Sequence, residues 1–209
     1  MNFKVDDYTN SPYFKVKNYI MNNHIDYINS FEDSLSDGQL KSKKWMIKEL
    51  DKVCNFIHPV HVEIIGGWFG YPLIEMLESF LMLDKIDFYE LDENCKKILY
   101  QYNTFFNLDI DISIFGDFFN RTELRRRHLI INTSAEHMNN ISIMKHCYKT
   151  LPEPPLLVIQ SNNYEKLNEH INCVNSEHEL AEKNEIKDIM FAGSLEFSNY
   201  TRYMVIGKW

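Results

Sequence analysis

Apolar positions along the chain form two patterns, short continuous runs and longer stretches with one apolar face. Nearly continuous apolar runs are typical of strands buried in a parallel sheet, whereas apolar residues at helical spacing predict helices. Strands are predicted over Val60–Ile65, Lys85–Tyr89, Ile112–Phe115, His128–Asn132 and Leu156–Gln160. Helices are predicted over Gln39–Phe56, Pro72–Leu83, Met138–Tyr148 and from the N-cap Asp92 to about Phe106. This alternation predicts an α/β fold.

The C-terminal part of the chain follows a different pattern. Ser176 with Glu179 three residues later is a capping box, which predicts a short helix. Two strand-like runs, Ile189–Phe197 and Tyr200–Trp209, then follow with no helix between them, so they must pair as an antiparallel hairpin. The fold predicted is Rossmann-like: a mostly parallel seven-stranded sheet with helices on both faces and a C-terminal antiparallel β-hairpin.

The N-terminal segment precedes this alternating pattern. Residues 1–38 are predicted to form a helical extension, with an apolar face between Phe14 and Phe31. The first core helix then begins residues 39–209, the Rossmann-like core. We assign its lysines to a solvated face: Lys41, Lys43, Lys44 and Lys48. With no internal repeat and no linker, residues 1–209 are expected to form a single domain.

Composition narrows the classes of function. The net charge of −8 argues against broad, sequence-independent nucleic-acid binding. No apolar run reaches the roughly 18 residues of a membrane span, and we expect no membrane contact. Four scattered cysteines suggest reduced thiols and a cytoplasmic protein. A bias to Asn, Lys and Ile suggests an AT-rich genome, such as that of a phage or a streamlined bacterium.

The segment between the first two strands carries the strongest functional signal. Gly66, Gly67 and Gly70 directly follow the first strand, and Glu90 ends the second one. Glycines permit a sharp turn and close approach to a ligand, and an acid about 20 residues further on can accept hydrogen bonds from ribose hydroxyls. This is the plan of a nucleotide-binding βαβ unit, and it suits either a dinucleotide or S-adenosylmethionine. The alternative is an ordinary βα turn whose glycines serve packing.

Five strand–helix units closed by an antiparallel hairpin resemble the class I S-adenosylmethionine-dependent methyltransferases, without indicating a subfamily. The resemblance covers roughly Gln39 to Trp209, and residues 1–209 then form one methyltransferase-like domain. It rests on the glycine-rich stretch Glu63–Gly70, on Glu90, on Asp117 with Phe118 after the third strand, and on Asn132–His137 after the fourth.

The resemblance implies S-adenosylmethionine as the cofactor and assigns a binding set that also includes two glycine-turn neighbours, Glu63 and Trp68. The whole set is Glu63, Gly66, Gly67, Trp68, Gly70, Glu90, Asp117 and Phe118. Gly67 is expected to lie closest to the ligand, so that Gly67→Val would abolish binding in a folded protein.

The catalytic candidates lie at the carboxyl edge of the sheet, just after the fourth strand. His137 could take a proton from a substrate hydroxyl or amine, with Glu136 and Asn132 beside it. A surface position in the first turn of the next helix is the alternative for His137. Asn132 suits lining the site better than acting as a base. No metal is expected.

Two departures from the family pattern affect the prediction. Ile65 replaces the first glycine of the usual motif, and the motif after the fourth strand differs from that of enzymes that methylate amino groups of nucleic-acid bases. The predicted function is methyl transfer to an unidentified nucleophile on a small molecule, a protein or RNA. An inactive methyltransferase-like binding or structural protein is the alternative, and a dinucleotide-dependent oxidoreductase is a weaker one. RNA contact through Arg121 to Arg127 is considered but not favoured over a solvated turn.

Overall fold

A seven-stranded sheet forms the centre of the protein, which a computed structural model describes over residues 11–121, 127–148, 151 and 153–209. Its strands are β1 Val60–Ile65, β2 Leu83–Tyr89, β3 Asp111–Phe115, β4 Leu129–Asn132, β5 Leu156–Asn162, β6 Asp188–Glu196 and β7 Thr201–Lys208. The order across the sheet is β3-β2-β1-β4-β5-β7-β6. The first five strands pair in parallel, and β7 lies antiparallel between β5 and β6. The Rossmann-like sheet and its C-terminal hairpin are therefore confirmed.

Six α-helices accompany the sheet within the part of the chain that the structure describes. They are α1 Pro12–Asn23, α2 Ile28–Ser34, α3 Asp37–Val53, α4 Leu73–Glu78, α5 Glu93–Phe106 and α6 Glu177–Lys183. Shorter 3₁₀ segments cover Ile25–Tyr27, Phe118–Asn120, Ala135–His137 and Ile141–Cys147. Among the described residues, none of the helices combines the length and the apolar character that crossing a membrane requires.

Two apolar clusters lie on opposite faces of the sheet because successive strand residues point to opposite sides. In β1, Ile64 belongs to the larger cluster, which α1, α3, α4 and α5 cover, and Ile65 belongs to the smaller one. The predicted cap of α5 is confirmed: Asp92 accepts hydrogen bonds from the backbone N–H groups of Asn94 at 2.7 Å and Cys95 at 3.1 Å. That cap fixes where the chain turns after β2.

The N-terminal extension is helical over its described residues, but in three separate pieces. Its first helix, α1, ends at Asn23, and the chain continues as a 3₁₀ turn and then as α2. A tertiary contact holds the chain at this break: the Tyr27 hydroxyl donates to the cap residue Asp92 at 2.7 Å. The last turn of α2 and the residues after it bring Asp33 and Ser36 to the carboxyl edge of the sheet.

The helix predicted over Met138–Tyr148 is also wrong in type, since a 3₁₀ segment, Ile141–Cys147, occupies this region. The Asn172 side-chain amide donates to the carbonyl oxygen of Met138 at 3.1 Å and to Asn140 Oδ1 at 2.7 Å. The backbone N–H of Ile141 donates to Asn184 Oδ1 at 3.1 Å. Distant side chains thus take backbone groups that a regular helix would have paired internally.

Candidate active site

The carboxyl ends of β1, β2 and β4 open into a cavity of about 690 Å³. Ligands bind at this edge in open α/β sheets, and the volume is in the range of small-molecule sites. Most residues predicted for the site line the cavity: Gly66, Gly67, Trp68, Glu90, Asp117, Phe118, Glu136 and His137. Glu63, Gly70 and Asn132 are not among its lining residues.

The turn after β1 forms one wall of the cavity. Gly66 has a φ of +60°, and its N–H donates to the Tyr89 carbonyl at 2.9 Å, which ties the turn to the end of β2. Trp68 has a φ of +58°, a left-handed conformation that few non-glycine residues adopt. Such backbone strain clusters at ligand sites, where the surrounding structure holds it in place.

Glu90 joins this turn to the start of α5. Its Oε2 accepts the Trp68 N–H at 3.1 Å, and its Oε1 accepts the Asp92 N–H at 3.1 Å. Burial raises the pKa of Glu90 above its ordinary value, although these N–H donors act in the opposite direction. The carboxylate is therefore held in one orientation at the cavity wall.

Two of the glycines serve packing. A Cβ on Gly67 would lie 2.6 Å from the Phe88 ring and 2.7 Å from Ile64 Cγ2, both in the core. A branched side chain at Gly67 would collide with the sheet core, so we expect Gly67→Val to lower the stability of the fold and not to act on binding alone. Gly70 has a φ of +76°, and a Cβ there would lie 2.6 Å from Leu99 of α5.

Asp117 and Phe118 lie after β3, next to Glu90 along the cavity. Asp117 accepts the Phe119 N–H at 2.8 Å and the Asn120 amide at 2.7 Å, and these bonds form the short turn after the strand. Phe118 is buried, and its ring meets Tyr89 edge-on with centroids 5.3 Å apart. The turn thus places one acid and one aromatic ring side by side.

Glu63 does not line the cavity. It is fully buried in β1, where one oxygen binds the Arg121 guanidinium and the other accepts the Tyr148 hydroxyl at 2.5 Å. Burial raises the pKa of Tyr148, and the Glu63 charge adds to that shift. Protein groups thus occupy both oxygens of Glu63, which leaves neither directed at the cavity.

The basic stretch before β4 is not a solvated turn where the structure describes it. Arg121 pairs with Glu63, and Arg127 is buried against Asp87. Burial acts to raise the pKa of Asp87, but the bond from His61 and the Arg127 charge outweigh it and lower that pKa. Residues 122–126, which include Arg125 and Arg126, lie outside the described residues. Burial of Arg121 and Arg127 removes these two from any phosphate-binding surface.

The turn after β4 holds the predicted catalytic group. Asn132 is buried, and its Oδ1 accepts the Ser134 N–H at 3.0 Å, which shapes the turn. Glu136, only 2% exposed, lines the cavity, and its Oε1 accepts the Asn162 amide at 2.6 Å. Arg202 of β7 also approaches this oxygen, at 3.4 Å. Asn132 thus positions the turn, whereas Glu136 reaches the cavity.

His137 meets a second histidine that the sequence did not single out. The rings of His137 and His170 are nearly perpendicular, with centroids 4.6 Å apart, and both line the cavity. Loss of hydration lowers the pKa of His137, and His170 lowers it further, although Glu136 opposes this. His170 lies in the loop after β5, where no periodic pattern indicated a role.

Lys43 also lines the cavity, although the sequence analysis placed it on a solvated face of α3. It is only 8% exposed, and its Nζ donates to Gln39 Oε1 at 2.9 Å. Burial, with the nearby Arg202 charge, lowers the pKa of Lys43 to about 8. The cavity therefore has a cationic wall formed by α3 and β7.

Comparison of the sequence with protein-family models gives no match, and comparison with curated proteins gives none either. The structure, however, is similar to solved methyltransferases. It matches a proposed sarcosine dimethylglycine methyltransferase from Galdieria sulphuraria at a TM-score of 0.60 and 12% identity, over 81% of this chain and 86% of that one. It also matches an S-adenosylmethionine-dependent methyltransferase from Aquifex aeolicus at 0.55 and 16%, over 79% and 88%.

A third similar structure is a proposed tRNA methyltransferase from Streptococcus pneumoniae, solved with S-adenosylmethionine. Its TM-score is 0.54 at 13% identity, over 80% of this chain and 72% of that one. Identities this low establish the fold alone. The chain has the class I methyltransferase fold, as the alternating strand–helix units and the terminal hairpin predicted.

Proposed function

We propose that the protein is an S-adenosylmethionine-dependent methyltransferase that acts on an unidentified nucleophile. The observation that carries this proposal is the position of Glu90. Its carboxylate lies at the end of β2, is oriented by the glycine turn, and lines the same cavity as Asp117 and Phe118. An oriented acid beside free space suits two ribose hydroxyls, which are paired hydrogen-bond donors.

The cofactor would lie along β1, β2 and β3. Glu90 would accept the ribose hydroxyls, Asp117 would accept the adenine amine, and Phe118 would pack beside the adenine ring. Gly66 and Trp68 would supply the turn that surrounds the rest of the cofactor. Glu63 is left out of this assignment because it is fully buried and does not line the cavity.

Methyl transfer from a sulfonium is an in-line displacement that the cofactor itself activates. The protein's part is therefore to orient the two reactants and to manage one proton. The acceptor would enter on the side of β4 and β5, where His137 and Glu136 line the cavity. Direct proton acceptance by His137 stays a prediction. Cytoplasmic location also stays one, and it rests on the scattered thiols.

Titration calorimetry with S-adenosylhomocysteine tests the cofactor assignment. We expect the wild type to bind, and Glu90→Ala to weaken binding by about 1–3 kcal/mol, because buried ribose hydroxyls would lose their acceptor. Glu93→Ala is the matched control: this acid is three residues away, its side chain is 75% exposed, and binding should not change. Equal affinity in wild type and Glu90→Ala would remove Glu90 from the site. Failure of the wild type to bind would contradict the proposal.

A further inference from the structure

Three potential metal ligands meet in the acceptor half of the cavity. One carboxylate oxygen of Glu136 and one nitrogen of each of His137 and His170 lie within 4.8 Å of one another. Glu136 and His137 are neighbours in the 3₁₀ turn after β4, whereas His170 comes from the loop after β5. Three donors from two segments thus converge on one point of the cavity wall.

Glu136 has an unused oxygen. Its Oε1 accepts the Asn162 amide at 2.6 Å, with Arg202 at 3.4 Å, whereas its Oε2 is buried without a hydrogen-bond partner among the described residues. An unpaired buried carboxylate oxygen costs free energy, so a buried one on a cavity wall indicates a missing partner. A cation would supply that partner.

A backbone carbonyl orients the imidazole ring of His170. His170 Nδ1 lies 2.5 Å from the Tyr164 carbonyl oxygen and must donate its proton there, which leaves Nε2 with a free lone pair. A metal-binding histidine almost always gives its other N–H to such an acceptor, because that bond fixes the tautomer and the ring orientation.

We propose that Glu136, His137 and His170 bind a divalent transition-metal ion, for which Zn²⁺ is the best match. Two neutral imidazoles and a carboxylate form a ligand set that Zn²⁺ takes at about 2.0–2.2 Å, with a fourth position left for water or substrate. Tetrahedral ligands at that distance are about 3.4 Å apart, so the donors close in by small side-chain rotations when the ion binds. No sequence pattern indicated this site, because His170 lies 33 residues beyond His137 in a loop.

The role of the ion in catalysis rests on the proposed methyltransferase function. A hydroxyl of the acceptor in the fourth position would have its pKa lowered and lose its proton to water. The resulting oxyanion would attack the methyl carbon: an O–C bond forms, the S–C bond breaks, and its electron pair stays on sulfur, leaving S-adenosylhomocysteine. On this proposal His137 is a ligand, and the ion replaces it as the group that activates the acceptor.

Calorimetric titration of Zn²⁺ into full-length protein dialysed against a chelator tests the site. We expect one ion per chain at this site, and a loss of affinity of about tenfold or more in both Glu136→Gln and His170→Ala. His178→Ala is the matched control, since its side chain is 80% exposed on α6. It should bind Zn²⁺ like the wild type. Unchanged Zn²⁺ affinity in both variants would overturn the proposal.

Binding of S-adenosylhomocysteine to the same variants separates the two proposals. The variants should keep the wild-type affinity for it, because none of the three ligands lies in the cofactor half, and this also shows that they are folded. If the wild type does not bind S-adenosylhomocysteine, the methyltransferase proposal is contradicted. If the variants nevertheless lose Zn²⁺ affinity, the metal site is still supported. Should Glu136→Gln not fold, His170→Ala alone decides the question.

Discussion

Two buried glutamates, Glu63 in β1 and Glu136 after β4, differ in what their second oxygen meets. Glu63 is fully buried, and Arg121 and Tyr148 engage its two oxygens. Glu136 is 2% exposed, yet only Oε1 has partners, and Oε2 has none among the described residues. Burial alone therefore does not distinguish a structural acid from one available to a ligand.

The completeness of the hydrogen bonding makes that distinction. A buried charge whose partners are all protein groups holds elements together, as Glu63 joins β1 to the segments that carry Arg121 and Tyr148. A buried carboxylate with an unpaired oxygen on a cavity wall can still bind a ligand through that oxygen. Glu63 is an acid of the first kind, and Glu136 is one of the second.

The largest effect is expected for Glu63→Ala. Removing one member of a buried ion pair leaves the Arg121 charge uncompensated, so the free energy of unfolding should fall by about 3–5 kcal/mol in a urea titration. Glu32→Ala breaks an ion pair with Lys17 whose glutamate side chain is 54% exposed, and it should change stability by about 1 kcal/mol or less. A stable Glu63→Ala protein with weakened cofactor binding would instead place Glu63 in the site.

The glycines extend the comparison between core-facing and cavity-facing positions. Gly67→Val should lower the free energy of unfolding by about 1–3 kcal/mol, since its side chain would enter the space of Phe88 and Ile64. Gly116→Ala is the counterpart, because Gly116 lines the cavity and a Cβ there meets nothing within 4 Å. Thermal unfolding of both variants checks this, and equal stability of the two would contradict the assignment.

The smallest effect is expected for Lys43→Met. The pKa of Lys43 is lowered from 10.5 to about 8 in the folded state. Between these two pH values the unfolded state therefore binds its proton more tightly than the folded state does. The cost of the buried charge is therefore present at pH 7 and fades as the pH rises through 8. The variant should be more stable than the wild type by up to about 2 kcal/mol at pH 7. Its advantage should shrink by pH 9.5, and a difference independent of pH would contradict the shift.

The sequence predicted the fold closely where local signals agree with burial. The bounds of β1 are as predicted, the Asp92 cap is confirmed, and the terminal hairpin lies where expected. It failed where tertiary contacts decide the outcome: Asn172 and Asn184 replace a helix with 3₁₀ turns.

The candidate site divides in the same way. Glu90 follows from its spacing to the glycines, and it lines the cavity. Glu63 has the same kind of motif support, but its pairing with Arg121 and Tyr148 depends on segments 58 and 85 residues away. His170 and Lys43 had no signal, because one lies in an irregular loop and the other in a run of lysines.

A crystal structure of the protein with S-adenosylhomocysteine tests the central assignment most directly. We predict that the ribose hydroxyls bind Glu90, that the adenine lies beside Asp117 and Phe118, and that the sulfur faces the side of the cavity lined by Glu136, His137 and His170. About 6–8 Å between that sulfur and the His137 ring would leave room for an acceptor, since reacting atoms approach to about 3–3.5 Å. A cofactor bound at Glu63, or one whose sulfur points away from the histidines, would contradict the account.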